Sequence, residues 1–141
     1  MPYKINDTHT SADIGLVVTG RDVVELFRDA LLGLIEIMAE PSSLESSRNL
    51  PVQLTAETIG DLFFSWLAEI LYLKDAENFL PVDCVLKIEG KDGFHLEGAL
   101  IGDSIDPVRQ ILKIDVKAVT YHKFNIAKTG EKWRGEVVFD L

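Results

Sequence analysis

The chain has 141 residues, with 14 Lys and Arg against 23 Asp and Glu, a formal net charge of −9, and one cysteine. That length fits a single domain over residues 1–141, able to bury roughly 70% of the surface its unfolded form exposes. One cysteine excludes a disulfide framework or a multi-cysteine metal cluster, and the negative charge repels phosphate backbones, so strong direct nucleic-acid binding is disfavoured.

In chain order, a first strand is expected around 14–19. Over 22–38, Val23, Leu26, Phe27, Ala30, Leu31, Leu34, Ile35 and Met38 recur at three-four spacing, and Asp22 with Glu25 is placed like a capping box, so a helix is expected. The serine-rich stretch 41–49 is a loop, followed by a short strand at 51–55. A second helix is predicted over 57–73. Its stripe of Ile59, Leu62, Phe63, Trp66, Leu67, Ile70 and Leu71 faces a core, with Asp61, Ser65 and Glu69 along the opposite side. The period then returns to two, predicting a hairpin of 83–89 and 94–101 around a Gly90-Lys91-Asp92-Gly93 turn. An irregular link at 102–107 precedes a second hairpin, 116–126 with 132–140 around a turn at 128–131. The expected fold class is α+β, two helices packed on a mostly antiparallel sheet.

The second hairpin has consequences for chemistry. In 133–140, Arg134, Glu136 and Asp140 alternate with apolar or small residues, so Asp140 points with the polar set, and a strand stopping there sets its carboxylate beside a terminal one. A four-residue loop would place Ala127 against Lys132 and Val119 against Asp140, with Lys117 diagonally close. It would also put Thr120, His122, Phe124 and Ile126 on the side of Trp133, Val137 and Phe139. On geometry alone, Lys117 with Asp140 reads as a surface ion pair worth at most about 1 kcal/mol.

The remaining reactive residue types read blandly. Cys84 lies in an apolar strand pattern and is expected to be a small buried side chain. Lys117, Lys123, Lys128, Lys132 and Arg134 are interleaved with Glu131, Glu136 and Asp140, as on a solvated sheet face. His9, His95 and His122 lack the spacing of a zinc site, Ser65 and Ser104 lack a nucleophile elbow, and Gly90 and Gly93 belong to a turn, not a phosphate loop. No basic and apolar leader opens the sequence and no apolar run approaches the roughly 18 residues that span a bilayer, so the expected address is cytoplasmic, with no membrane partner.

Four stretches in order, His9-Thr10-Ser11-Ala12-Asp13-Ile14-Gly15, Asp61-Leu62-Phe63-Phe64-Ser65-Trp66-Leu67-Ala68-Glu69-Ile70-Leu71-Tyr72, Lys117-Ala118-Val119-Thr120-Tyr121-His122 and Val137-Val138-Phe139-Asp140-Leu141, together resemble the archease family. The resemblance spans nearly the whole chain and implies a compact domain with a strand-helix-strand-strand insertion. It also implies a protein cofactor, not an enzyme. Such a protein activates the RNA ligase that joins a cyclic-phosphate or 3′-phosphate end to a 5′-hydroxyl end in tRNA splicing and RNA repair, promoting guanylylation of the ligase histidine and multiple turnover.

Carried over residue by residue, the resemblance implies a metal site of the Asp13 and Asp140 carboxylates with a main-chain or terminal oxygen of Leu141, and Lys117 as the family's functional lysine beside it. An all-oxygen set suits a hard divalent cation, Ca²⁺ before Mg²⁺, with water or a partner completing the shell. This sequence departs from the pattern where Ser11 and Ala12 both separate Thr10 from Asp13, and at Gln110, near which many relatives carry a histidine. Two other readings stand beside it: a small metal-dependent phosphoester hydrolase using Asp13, Asp140 and His122 around a bound water, and a general chaperone or RNA-binding adaptor.

Overall fold

Capping side chains set both helix starts in the computed structural model, which describes residues 2–6 and 12–141. Helix α1 (Val23–Met38) follows Asp22, whose carboxylate accepts the Glu25 main-chain N–H at 2.8 Å. Only half of the expected box forms, because the Glu25 carboxylate turns to Arg21 Nε at 2.9 Å. Helix α2 (Ile59–Glu77) follows Thr58, whose hydroxyl accepts the Asp61 N–H at 3.0 Å. It runs past the predicted end at 73 and stops at Asn78, a residue type that tolerates the left-handed conformation found there (φ 52°).

The strands are β1 (Tyr3–Asn6), β2 (Asp13–Gly20), β3 (Arg48–Ala56), β4 (Phe79–Gly90), β5 (Phe94–Ser104), β6 (Ala118–Thr129) and β7 (Lys132–Asp140). They form two sheets where one was expected, a four-stranded one in the order β1-β2-β7-β6 and a three-stranded one in the order β3-β5-β4. Every pairing is antiparallel. The run β3-α2-β4-β5 between α1 and β6 is the strand-helix-strand-strand insertion. Strand β1 was not expected, and its four residues are too few for a period to register.

The two helical stripes are buried against both sheets as their spacing requires. Leu62, Phe63, Trp66, Leu67, Ile70 and Leu71 of α2 meet Leu26, Phe27, Ala30, Leu31 and Leu34 of α1 in one cluster with Leu16, Val18, Val137 and Phe139. The Trp66 indole N–H donates to the Phe27 carbonyl at 2.9 Å, so the one polar atom of that ring is satisfied inside the core. Gly135 of β7 lies under the Phe63 ring, where a Cβ would come within 3.1 Å. Cys84 is buried as expected, and desolvation pushes its thiol up to about 12, which keeps it protonated and unreactive.

The register of the second hairpin differs from the expected one. Its loop has two residues, Gly130 and Glu131, because Thr129 pairs with Lys132, and Gly130 supplies the positive φ (65°) that tight hairpin turns favour. Ala127 consequently faces Arg134. Further along, β6 bulges: Asn125 pairs with Glu136 but Thr120 with Val138, and Lys123 inside the bulge has φ 53°. The bulge changes the parity of the strand. Phe124 and Ile126 after it and Val119 before it all pack on the core, while Tyr121, His122 and Lys123 are exposed. His122 is therefore not on the apolar face where alternation placed it.

The link from β5 to β6 is held by a buried carboxylate. Asp103, 2% exposed, accepts hydrogen bonds from the Glu45 N–H (3.0 Å), the Ser47 hydroxyl (3.2 Å) and Gln110 Nε2 (2.8 Å), and pairs with Arg109 Nη1 at 2.9 Å. Gln110 also donates to the Ser104 carbonyl and accepts the Asp106 N–H, so its side chain is committed to shaping this loop. The chain then runs beside the end of α1, with Ala39 bridged to Leu112 and the Lys113 N–H on the Met38 carbonyl at 2.8 Å. That path delivers Val116 and Lys117 to the start of β6.

Candidate metal centre and the adjoining groove

The β2–β7 register places Asp13 directly opposite Asp140. Directly opposed antiparallel residues share a face with their Cβ atoms about 4.5–5.5 Å apart. Their neighbours Ile14 and Phe139 are buried, so the two carboxylates lie on the face turned away from the core. Two more main-chain bonds lace this end of the sheet: the Leu141 N–H donates to the Ala12 carbonyl and the Lys117 N–H to the Asp140 carbonyl, both at 2.9 Å. Residues far apart in sequence are thus brought to one sheet end by register and backbone hydrogen bonds.

Like charges directly opposed across a strand pair are unfavourable, and a cation between them reverses the sign of that interaction. The two carboxylates brought together here are hard oxygen donors and fit Ca²⁺ or Mg²⁺ better than a softer metal. Among the described residues, no three His, Cys, Asp or Glu side chains are grouped to hold a metal. The Asp13, Asp140 and His122 trio of the hydrolase reading is therefore not assembled; His122 is exposed in the β6 bulge.

Lys117 reaches this end of the sheet by a different route from the one alternation predicts. Because Ala118, not Val119, stands opposite Asp140, the link between Lys117 and Asp140 is made by the main chain, and no ion pair joins the two among the described residues. Lys117 instead lines a groove of about 300 Å³ between α2 and β6, with Phe64, Ala68, Leu71 and Tyr72 on its α2 side. Its backbone is held from both sides. Lys74, with a side chain 9% exposed, donates from Nζ to the Val116 carbonyl at 2.8 Å and pairs with Asp115 at 2.6 Å. Sequence reasoning missed Lys74, since a lysine in the last turn of a helix reads as an ordinary partner of the helix dipole.

His95 plays no part here. His95 Nε2 lies 2.8 Å from the Lys91 carbonyl and fastens the β4–β5 turn. His9, Thr10 and Ser11, including the departure from the family pattern ahead of Asp13, lie outside the described residues. A roomier cleft of about 650 Å³ covers Pro51, Gln53, Val85 and Lys87 on the three-stranded sheet and gathers no titratable group of the site.

The topology defines a class of small α+β domains in which a strand-helix-strand-strand unit is inserted between the first helix and the β6–β7 hairpin. Over residues 3–141 the sequence matches the Archease protein family (MTH1598/TM1083). The chain belongs to the archease family. It is 33% identical to the protein archease of Archaeoglobus fulgidus over 141 residues, covering all of both chains, and 33% identical to that of Pyrococcus furiosus over 135 residues, covering 94% of each. The solution structure of Methanobacterium thermoautotrophicum protein 1598 superposes with a TM-score of 0.85 at 30% identity, covering 99% of each chain. The crystal structure of an archease, possible chaperone, from Thermotoga maritima shares the fold with a TM-score of 0.63 at 21% identity, over 94% of this chain and 93% of that one. Among the described residues no helix is long and apolar enough to cross a membrane.

Proposed function

We propose that this protein is a non-enzymatic, cytoplasmic cofactor of the RNA ligase that joins 3′-phosphate or cyclic-phosphate ends to 5′-hydroxyl ends in tRNA splicing and RNA repair, promoting guanylylation of the ligase histidine and multiple turnover. The observation that carries this reading is the direct pairing of Asp13 with Asp140 in a chain of the archease family. Asp13 and Asp140, with the Leu141 main-chain oxygen, would hold one divalent cation, Ca²⁺ in preference to Mg²⁺, and its shell would be completed at the ligase surface. When bound, the ion would supply positive charge where phosphates are handled. The chain's own residues do the positioning: the β2–β7 register holds the carboxylates face to face, and the Lys117 N–H bond to Asp140 fixes where the lysine enters the neighbouring groove.

The test is a ligation time course with ligase well below substrate. The wild-type chain is expected to drive product past one equivalent per ligase, chelator to suppress this, and Asp140→Ala to hold product at about one equivalent with an unchanged unfolding midpoint. Asp140 is exposed and its substitution removes no core contact, so folding is expected to survive. Full turnover with Asp140→Ala would sink the metal reading.

A further inference from the structure

We infer that the groove between α2 and β6 is the surface on which the partner protein docks, and that it accepts a segment carrying an apolar side chain flanked by basic residues. This inference rests on the ligase-cofactor reading and names the partner contact of the same site. The floor of the groove is apolar and aromatic, formed by Phe64, Ala68, Leu71 and Val119. Tyr72 is 63% exposed on its wall. At its β6 side, Tyr121 is 64% exposed and stacks flat on Phe64, with ring centroids 3.9 Å apart and an interplanar angle of 3°. Large aromatic rings held rigid by stacking yet left in water are what protein interfaces use as anchors, because little side-chain entropy remains to be lost on contact.

The bulge in β6 explains how this surface comes to exist. Tyr121 lies on the α2 side of β6 with Val119, and the positive φ at Lys123 turns Phe124 to that side as well, where it packs edge-on against Phe64 and Tyr121. The small side chain of Ala68 opens the middle of the groove. A second hollow of about 260 Å³, sharing Ala68 and Tyr72 with the first, continues it past Glu69 toward Leu54.

Charge decides what kind of segment fits. Asp75 lies on the rim of the groove and Glu69 on that of its continuation, and Asp115 stands 73% exposed nearby. Lys74 serves both Asp75 and Asp115 while staying almost buried, so the side chains facing solvent there are mainly acidic. On a chain of net charge −9 this rim repels a phosphate backbone and attracts lysine or arginine of a partner. Lys117 at one end makes the groove continuous with the Asp13–Asp140 carboxylates through its main-chain bond to Asp140, so a segment lying in it would bring the partner alongside the proposed metal centre.

The experiment uses the full chain and purified ligase, with Ala68→Arg to fill and recharge the groove and Tyr72→Ala to remove its exposed wall. Tyr72 is exposed, Ala68 is half-buried beside the open groove into which an arginine can extend, and arginine is a good helix former, so unchanged far-UV spectra and unfolding midpoints are expected. Ligase binding measured by calorimetry should weaken about tenfold or more with either variant, as for a central contact of an interface, with Ca²⁺ affinity of the free chain unchanged. Asp140→Ala should show the converse, lost Ca²⁺ affinity with docking retained. Wild-type stimulation accompanied by unaltered binding of both groove variants would overturn the docking inference alone. Salt-dependent binding of a single-stranded RNA oligonucleotide abolished by Ala68→Arg would assign the groove to nucleic acid and overturn it too. A wild-type chain that neither binds nor stimulates the ligase would overturn the functional reading, and this one with it.

Discussion

Replacing Trp66 with alanine is expected to lower the unfolding free energy by about 3–5 kcal/mol, the range for truncating a fully buried aromatic residue. Trp66 is 0% exposed, sits 6.2 Å from the Phe27 ring centre to centre, and ties α2 to α1 through its indole N–H on the Phe27 carbonyl. Alanine would remove the ring contacts, leave a cavity in the core between the two helices, and delete a buried hydrogen bond worth about 1 kcal/mol. Domains of this size are stable by roughly 5–15 kcal/mol, so the loss takes a large share of the total. Trp66→Phe should fall between the two, since it keeps most of the volume and loses the hydrogen bond. Urea denaturation with an unchanged slope is the measurement. A loss below about 1 kcal/mol for the alanine variant would mean that the helix pair is not what holds the core together.

Asp103→Ala is expected to cost about 2–4 kcal/mol, because the Glu45 N–H and one Gln110 donor lose their acceptor, each at about 1–3 kcal/mol. Asp103→Asn keeps the shape and should cost less. The Arg109 guanidinium, acting against desolvation and helped by the Glu45 N–H, Gln110 and Ser47, holds the Asp103 carboxyl well below the usual carboxylate range. A carboxyl depressed in the folded state takes up its proton more readily when the chain unfolds. Its contribution to stability is therefore complete above the unfolded value near pH 4 and is lost as pH falls through the range below it. The stability gap between wild type and Asp103→Asn should be constant from about pH 6 to 8 and close progressively below about pH 4. A gap that widened in acid would contradict this sign. Because the network shapes the loop that leads to Lys117, the same variants ask whether the loop sets the entry of β6: ligase stimulation should drop even at temperatures where the variants remain folded.

The helices and hairpins were legible because each is governed by short-range periodicity. Eight buried or half-buried apolar positions in α1 and the Leu62 to Leu71 stripe of α2 appear at three-four spacing, and both helix starts carry a side chain able to cap them. The β4–β5 turn was legible from Gly93, which adopts φ 91°. The division of the strands into two sheets was not, since alternation shows that a residue faces a core without showing which neighbour its strand takes. The β6 bulge was also hidden. Lysine carries no preference for positive φ, so nothing at Lys123 marks the place where three extra residues enter one strand, and a one-residue error in register moved Lys117 from the face of Asp140 into the groove beside it.

Through spacing of apolar residues, the sequence by itself determined two capped amphipathic helices, the β4–β5 hairpin and the polar facing of Asp140, and through four motifs it determined the archease family. Only the tertiary structure decided that Asp13 stands opposite Asp140, that Lys74 holds the strand carrying Lys117, and that Tyr121 is left stacked in water on Phe64. The physical reason is that each of these depends on strand register across long sequence separations. Register follows from the joint packing of both sheets on the helices, a property that no local window of residues contains.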